Sequence, residues 1–203
     1  MADLVAVALV CSLKARPDAS SSETIAQHVA TELDKHDVST QIIRIADFDV
    51  KPGVETNMGN GDDWPEIRAQ VAVADILLIA TPTWMGHMSS IAQRVLERLD
   101  AELSFTDSEG RPGMVGKVAT VAVVGNEDGA HKIVADVFQA LNDVGYSIPA
   151  QGCTYWNDEA MGSRNYIDLP AVPDPVISTT AALARNAAHL ARRLRGEAYP
   201  PYA

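Results

Sequence analysis
Three stretches of this 203-residue sequence gather side chains able to hold a ligand, and each follows an apolar run. The first carries Ser12, Lys14, Arg16, Ser20, Ser21, Ser22 and Thr24 just ahead of, and into, a helical pattern. A helix N-terminus presents outward amides with a positive partial charge, and hydroxyls clustered there hold phosphate. Lys14 or Arg16 would add a full charge. Ser20 and Glu23 also fit an S-x-x-E capping box, which accounts for two residues and leaves the other hydroxyls over. Glu23 opposes an anion unless its side chain points away.

The second stretch is Thr81-Pro82-Thr83-Trp84-Met85-Gly86-His87-Met88-Ser89. Pro82 drives Thr81 out of helical geometry and stiffens the turn. Trp84 and Met85 are large apolar groups in an expected surface loop. A planar aromatic ligand would suit them, and so would a second subunit. His87 reads as a solvent or helix-start histidine before it reads as a catalyst. The third stretch is Gly125-Asn126-Glu127-Asp128-Gly129. Its glycines permit close backbone approach, and its amides suit a carbonyl-rich ring. Capping by Asn126 or Asp128 competes with that reading.

The elements that must position these stretches alternate along the chain. Val5 to Val10 is a continuous, β-branched apolar run, the pattern of a strand buried on both faces. Ile25, Val29 and Leu33 recur at helical spacing over 22–35. Further strands are expected at 41–45, 76–80, 117–124 and 146–148, with helices at 64–73, 89–99 and 130–141. Gly145 suits a left-handed residue closing the last of these. Asp174-Pro175 suits a helix start, and that helix carries Arg192, Arg193 and Arg195 against the negative end of its dipole. Five β-α units of this kind specify an α/β fold: a doubly wound, five-stranded parallel sheet in the order 2-1-3-4-5. The whole of 1–203 reads as one domain, with an extended loop at 154–173 and a terminal helix at 175–195. In such sheets ligands bind beyond the carboxyl ends of the strands, where the order reverses. All three stretches lie there.

Composition narrows the function. A net charge of −11 repels nucleic acid and anionic membrane surfaces. Two cysteines make neither a disulfide framework nor a familiar zinc pattern. The start lacks a basic leader and cleavage site, and no apolar run reaches membrane length, so a cytoplasmic protein is expected. G-x-G-x-x-G and Walker A sequences are absent from the first loop. A receiver domain would need an acidic pair where Cys11-Ser12 stands, and an aspartate where Thr81 stands.

At the same loops the chain resembles the NADPH-dependent FMN reductase and NAD(P)H:quinone oxidoreductase branch of the flavodoxin-like superfamily, over about residues 3 to 150. Ser12, Lys14, Ser22 and Thr24 resemble that branch's G-S-x-R…S-x-[NT] phosphate loop, with Cys11 in place of its Gly, Lys14 in place of its Arg, and a longer intervening stretch. Thr81 to Gly86 is similar to the T-P-T-x-[FY]-G segment that lines the isoalloxazine in tryptophan-repressor-binding-protein-like quinone reductases. The resemblance implies FMN as cofactor, NADPH or NADH as co-substrate, a small-molecule acceptor such as a quinone or flavin, and a homodimer or homotetramer. It implies a cofactor site made of Ser12, Lys14, Ser20 to Ser22, Thr24, Pro82 to Gly86 and Gly125 to Gly129, with no side chain as nucleophile. Tyr155, Trp156 and His87 are candidates to line the acceptor site. An electron-carrying flavodoxin without direct NAD(P)H activity is the alternative, although the compact T-x-T-G-x-T loop of a carrier is missing.

Overall fold
In the computed structural model, which describes residues 4–160 and 162–202, apolar residues on alternating positions of each strand feed two separate cores. Met1 to Asp3, Met161 and Ala203 lie outside the described residues. The elements are β1 (Leu4–Val10), α1 (Ser21–Asp34), β2 (Val38–Arg44), α2 (Trp64–Val73), β3 (Ile76–Trp84), β4 (His87–Met88), α3 (Ser90–Leu99), β5 (Val118–Gly125), α4 (Ala130–Asp143), β6 (Cys153–Asn157) and α5 (Asp174–Gly196). The sheet runs β2-β1-β3-β5-β6, all parallel, and β4 folds back antiparallel on β3.

On one face Val7, Leu9, Leu77, Ile79, Val121 and Val123 meet α2, α3 and α4. On the other, Ala6, Ala8, Ala80 and Ala122 meet α1 and α5. The small side chains on this second face are matched by Ala184, Ala187, Ala188 and Ala191 on α5. A strand with successive residues on opposite faces therefore reads as a continuous apolar run when helices cover both faces.

Two expectations are corrected here. The last strand of the sheet is Cys153–Asn157, not 146–148. Gly145 does take a positive φ after α4, and Tyr146 N–H bonds back to Leu141 O. Ser147 then makes only a single bridge to Val118. Pro149, which has no N–H for a ladder, and Gln151, at φ 55°, then turn the chain before β6 begins. The first residues of the expected loop at 154–173 are thus edge strand. The sheet order is β2-β1-β3-β5-β6 and not the expected 2-1-3-4-5, because the short β4 intervenes in the numbering and the last member is Cys153–Asn157. The second correction concerns β3, which continues through Thr81 to Trp84 instead of ending at Ala80. Pro82 sits opposite Val124 in that extension.

The segment between β2 and α2 has few regular elements and is fixed by one buried ion pair. The side chains of Arg98 on α3 and Asp62 are both fully buried, 2.8 Å apart. Arg98 also donates to the carbonyls of Lys51 and Glu55. Asp62 accepts from the amides of Lys51, Met58 and Trp64. Burial alone would raise the Asp62 carboxyl, but Arg98 and these amides hold it well below the usual carboxylate range. Removing one charge from such a pair leaves the other uncompensated in the interior. Asp62→Asn should therefore lower the unfolding free energy by about 3–5 kcal/mol, read from urea denaturation.

Candidate functional site
A cavity of about 610 Å³ opens at the carboxyl ends of β1, β3, β5 and β6, in the size range of small-molecule and cofactor sites. It lies where β1 has β2 on one side and β3 on the other, the point at which the strand order reverses.

Its polar end is the start of α1. The Ser20 hydroxyl accepts from Glu23 N–H at 3.2 Å, and Thr24 N–H reaches Ser20 O. The helix geometry leaves the amides of Ser21 and Ser22 without an intrahelical acceptor, and both residues line the cavity. The Ser22 hydroxyl has no protein partner among the described residues. The capping role of Ser20 is therefore real, and it coexists with a free amide pair.

The loop before α1 is held from outside. Arg44, at the end of β2 and 2% exposed, donates to the carbonyls of Lys14 and Asp18 and to the Glu23 carboxylate. Arg16 also bonds Glu23, and it bonds Asp47 through both its backbone amide and its guanidinium. Burial opposes ionisation of Glu23, but hydrogen bonds from Arg16 and Arg44 win and lower its pKa. Its charge thus points away from the cavity. Arg16 is consumed in this network, which leaves Lys14 as the cation on the cavity wall, with no ion-pair partner among the described residues.

The other end is apolar. Pro82, Thr83 and Trp84 from β3, Val124 and Gly125 from β5, and Trp156 from β6 form it. Trp84 is half exposed at the rim. Thr83 is buried, and its Oγ1 has no partner among the described residues. A Cβ on Gly125 would stand 2.9 Å from Thr83 Cβ, so only glycine lets these two strand ends approach. Ser89 ties the arrangement together: its hydroxyl donates to Cys11 O at 2.6 Å and caps α3 through Ala92 N–H.

The remaining expected residues are placed nearby without lining the cavity. Met85 and Gly86, both at positive φ, form the two-residue turn that pairs Trp84 with His87. The His87 ring bonds Met85 O through Nδ1. Asp128 accepts from Gly129 N–H. Glu127 is outside the wall, as is Thr24, whose hydroxyl donates to Ser20 O. Tyr155 faces away and meets His131 edge-on at 5.0 Å. Asn126, by contrast, lines the wall and donates to Arg164 O. Gly86 and Gly129 dock their two loops, since a Cβ on Gly129 would fall 2.7 Å from Gly86 Cα.

Besides Leu13, Ala19 and Val124, which neighbour expected site residues, one whole run of the lining escaped the sequence reading: Asn165, Tyr166, Ile167 and Asp168. They belong to the segment before α5, which crosses the mouth of α1. Tyr166 is buried against Trp156 at 5.5 Å, and its hydroxyl bonds His28 Nδ1 at 2.8 Å. Burial raises the phenol to about 12 and lowers His28. The available signal was a long segment carrying an aromatic residue without a helix or strand of its own.

This architecture defines a flavodoxin-like α/β protein, with a helix N-terminus and an apolar slot sharing one cavity. The chain belongs to the NADPH-dependent FMN reductase family, whose family model matches residues 5–160. It is 28% identical over 208 residues to the 8-demethyl-8-aminoriboflavin-5'-phosphate synthase of Streptomyces davaonensis, covering 97% of this chain and 80% of that protein. It is 30% identical over 203 residues to a Mycobacterium bovis protein named divalent metal cation transporter MntH, covering 96% of this chain. The chain spans only 30% of that protein's length. Among the described residues no helix is long and apolar enough to cross a membrane, and no cluster of three or more His, Cys, Asp or Glu could hold a metal ion.

Among solved structures, RosB with bound 8-demethyl-8-formylriboflavin-5'-phosphate superposes with a TM-score of 0.86 at 27% identity, covering 97% of this chain and 82% of RosB. An NADH:FMN oxidoreductase, EmoB, shares the fold with a TM-score of 0.67 at 18% identity, covering 98% of this chain and 94% of that one.

Two outcomes follow from the site's construction. Gly129→Ala forces a side chain against the Gly86 backbone at an unfavourable φ, and should cost about 1–3 kcal/mol in thermal or urea unfolding. His28 is lowered in the folded state, so its stabilising contribution is full above the ordinary histidine range and is lost as pH falls through it. Between pH 7.5 and pH 5.5 the wild type should lose more stability than His28→Gln, as read by urea titration at both values.

Proposed function
We propose that this chain binds FMN in the cavity and uses it to pass reducing equivalents from NADH or NADPH to a flat acceptor such as a quinone or free flavin. The observation that carries the reading is the pairing of a free α1 amide pair with an apolar, tryptophan-rimmed slot in one cavity of suitable volume. The family assignment supports the cofactor. The buried Thr83 hydroxyl, without a protein partner, supports the fit of a polar ring edge at that wall.

In this reading the amides of Ser21 and Ser22, the Ser22 hydroxyl and Lys14 hold the phosphate. The helix dipole contributes roughly half a positive charge and Lys14 a full one, which suits one doubly charged phosphate. Pro82, Thr83, Trp84 and Trp156 flank the ring, and Gly125 and Asn126 lie along it. Met85, Gly86 and Gly129 shape those loops, and Ser12 holds its own turn by donating to Lys14 O at 3.0 Å. Bound FMN supplies hydride chemistry, and the chain's residues bind and orient it. The Tyr166 phenol, held to His28 and above its ordinary pKa, stays protonated at neutral pH. The half-exposed Trp84 rim leaves room for nicotinamide and acceptor to visit in turn, so kinetics should be ping-pong.

A second reading has its own support. Similarity to the riboflavin-phosphate synthase and to RosB covers 97% of this chain, whereas the family model stops at residue 160. On that reading the flavin phosphate is itself the substrate and changes at a ring substituent.

One experiment separates these. FMN-loaded protein is mixed anaerobically with NADH or NADPH, and the flavin recovered from an aerobic incubation without nicotinamide, supplied with an amino-acid nitrogen donor, is weighed by mass spectrometry. Bleaching near 450 nm with unchanged flavin mass is the expected result. A changed flavin mass supports the second reading. Reduction by neither nicotinamide, with the mass unchanged, removes both and leaves an electron carrier.

A further inference from the structure
The segment that crosses the mouth of α1 separates two cavities. Beyond it lies a second space of about 370 Å³, which shares Ala19, Ser20 and Ile167 with the first. Ile167 is therefore a partition, with its N–H bonded to Ser21 Oγ at 3.3 Å beside the free amides of α1. The partition is braced on both sides. Tyr166 is buried and bonded to His28, Asn165 Nδ2 donates to Asp168 Oδ2 at 2.9 Å, and Arg164 forms a two-point ion pair with Asp158.

The charges on the two sides differ. On the near side a phosphate would meet amides and Lys14. Where the first cavity's wall reaches the partition it would meet the Asp168 carboxylate, and past the partition Asp18 and Glu23. The cations beyond, Arg16 and Arg44, are already engaged by Glu23, Asp47 and backbone carbonyls. A ligand ending in one phosphate fits this arrangement. One continuing into a second phosphate and a nucleoside would have to displace Ile167 and bring its second charge against carboxylates, with the lining cations among the described residues already engaged.

We infer that Ile167 and Asp168 are specificity-determining residues that restrict the site to flavin monophosphates and exclude the dinucleotide FAD. This rests on the FMN reading above. Discrimination here arises from an obstacle and a repulsive charge against the wrong ligand, not from an added contact to the right one.

The test is titration of the apo-protein with FMN, FAD and riboflavin, following flavin fluorescence, for the wild type, Ile167→Gly and Asp168→Asn. Ile167 is partly exposed, and Asp168→Asn leaves the backbone and an acceptor for Asn165 in place, so at least one variant reports even if the other fails to fold. The expected result is FAD bound at least about tenfold more weakly than FMN by the wild type, with the FAD-to-FMN ratio of dissociation constants falling in the folded variants. A wild-type ratio below about tenfold overturns the inference, as does a ratio unchanged in every folded variant. Those outcomes leave FMN binding intact. Failure of the wild type to bind FMN any better than riboflavin instead removes the phosphate site itself.

Discussion
A guanidinium buried at the end of β2 governs the shape of the polar half of the site. Arg44 is almost wholly removed from water, which is costly unless its donors are met. They are met by the carbonyls of Lys14 and Asp18 and by the Glu23 carboxylate, although Nε has no partner among the described residues. Satisfying Arg44 has two structural consequences. The loop after β1 is pulled into one conformation, and the one acidic residue in the first turn of α1 is rotated away from the helix mouth. The negative charge that would compete with an anion is thus used to neutralise a cation on the opposite side. An Arg44 without Glu23, or a Glu23 without Arg44, would spoil the pocket as well as the packing.

The apolar half depends on a different constraint, the close approach of backbones. Gly125 lets the ends of β3 and β5 come together over Thr83, and Gly86 against Gly129 docks the following loops. The turn at Met85-Gly86 carries β3 past the sheet edge, and this puts Trp84 on the rim. Ser89 links the β1 end to the start of α3. The slot is therefore built from strand extensions and tight turns, rigid elements well suited to holding a planar ring in a fixed orientation.

The segment before α5 joins the halves. Trp156 on β6 belongs to the slot, Tyr166 packs against it at a tilt, and Ile167 reaches the start of α1. Within the cavity wall the ionisable side chains are Lys14, Tyr166 and Asp168, and none is arranged as a nucleophile beside a base. On the proposed reading these residues bind, orient and exclude, which leaves the electron chemistry to a cofactor or to the flavin as substrate.

The alternation of fully apolar strands with amphipathic helices was legible from composition and spacing alone, because burial on both faces leaves a run such as Ile76 to Ala80 with no polar residue. The polar end of the cavity was legible too, since hydroxyls at a helix start report a local geometry. So was Trp84, conspicuous because a large apolar group is seldom left in an expected surface loop without a ligand or partner. What sequence could not supply was contact across distance. Whether Glu23 faced the cavity or Arg44 depended on a residue 21 positions on, and whether Gly129 met open space or another glycine depended on Gly86, on a different loop. The last strand was misplaced because Tyr146 to Ile148 and Cys153 to Asn157 have comparable local preference. Only Pro149 and pairing with β5 decide between them. The residues at 165–168 carry no local pattern at all. They join the site because Tyr166 finds His28 and Trp156, and burial of an aromatic ring between distant elements is decided by the packed fold and by nothing nearer in the chain.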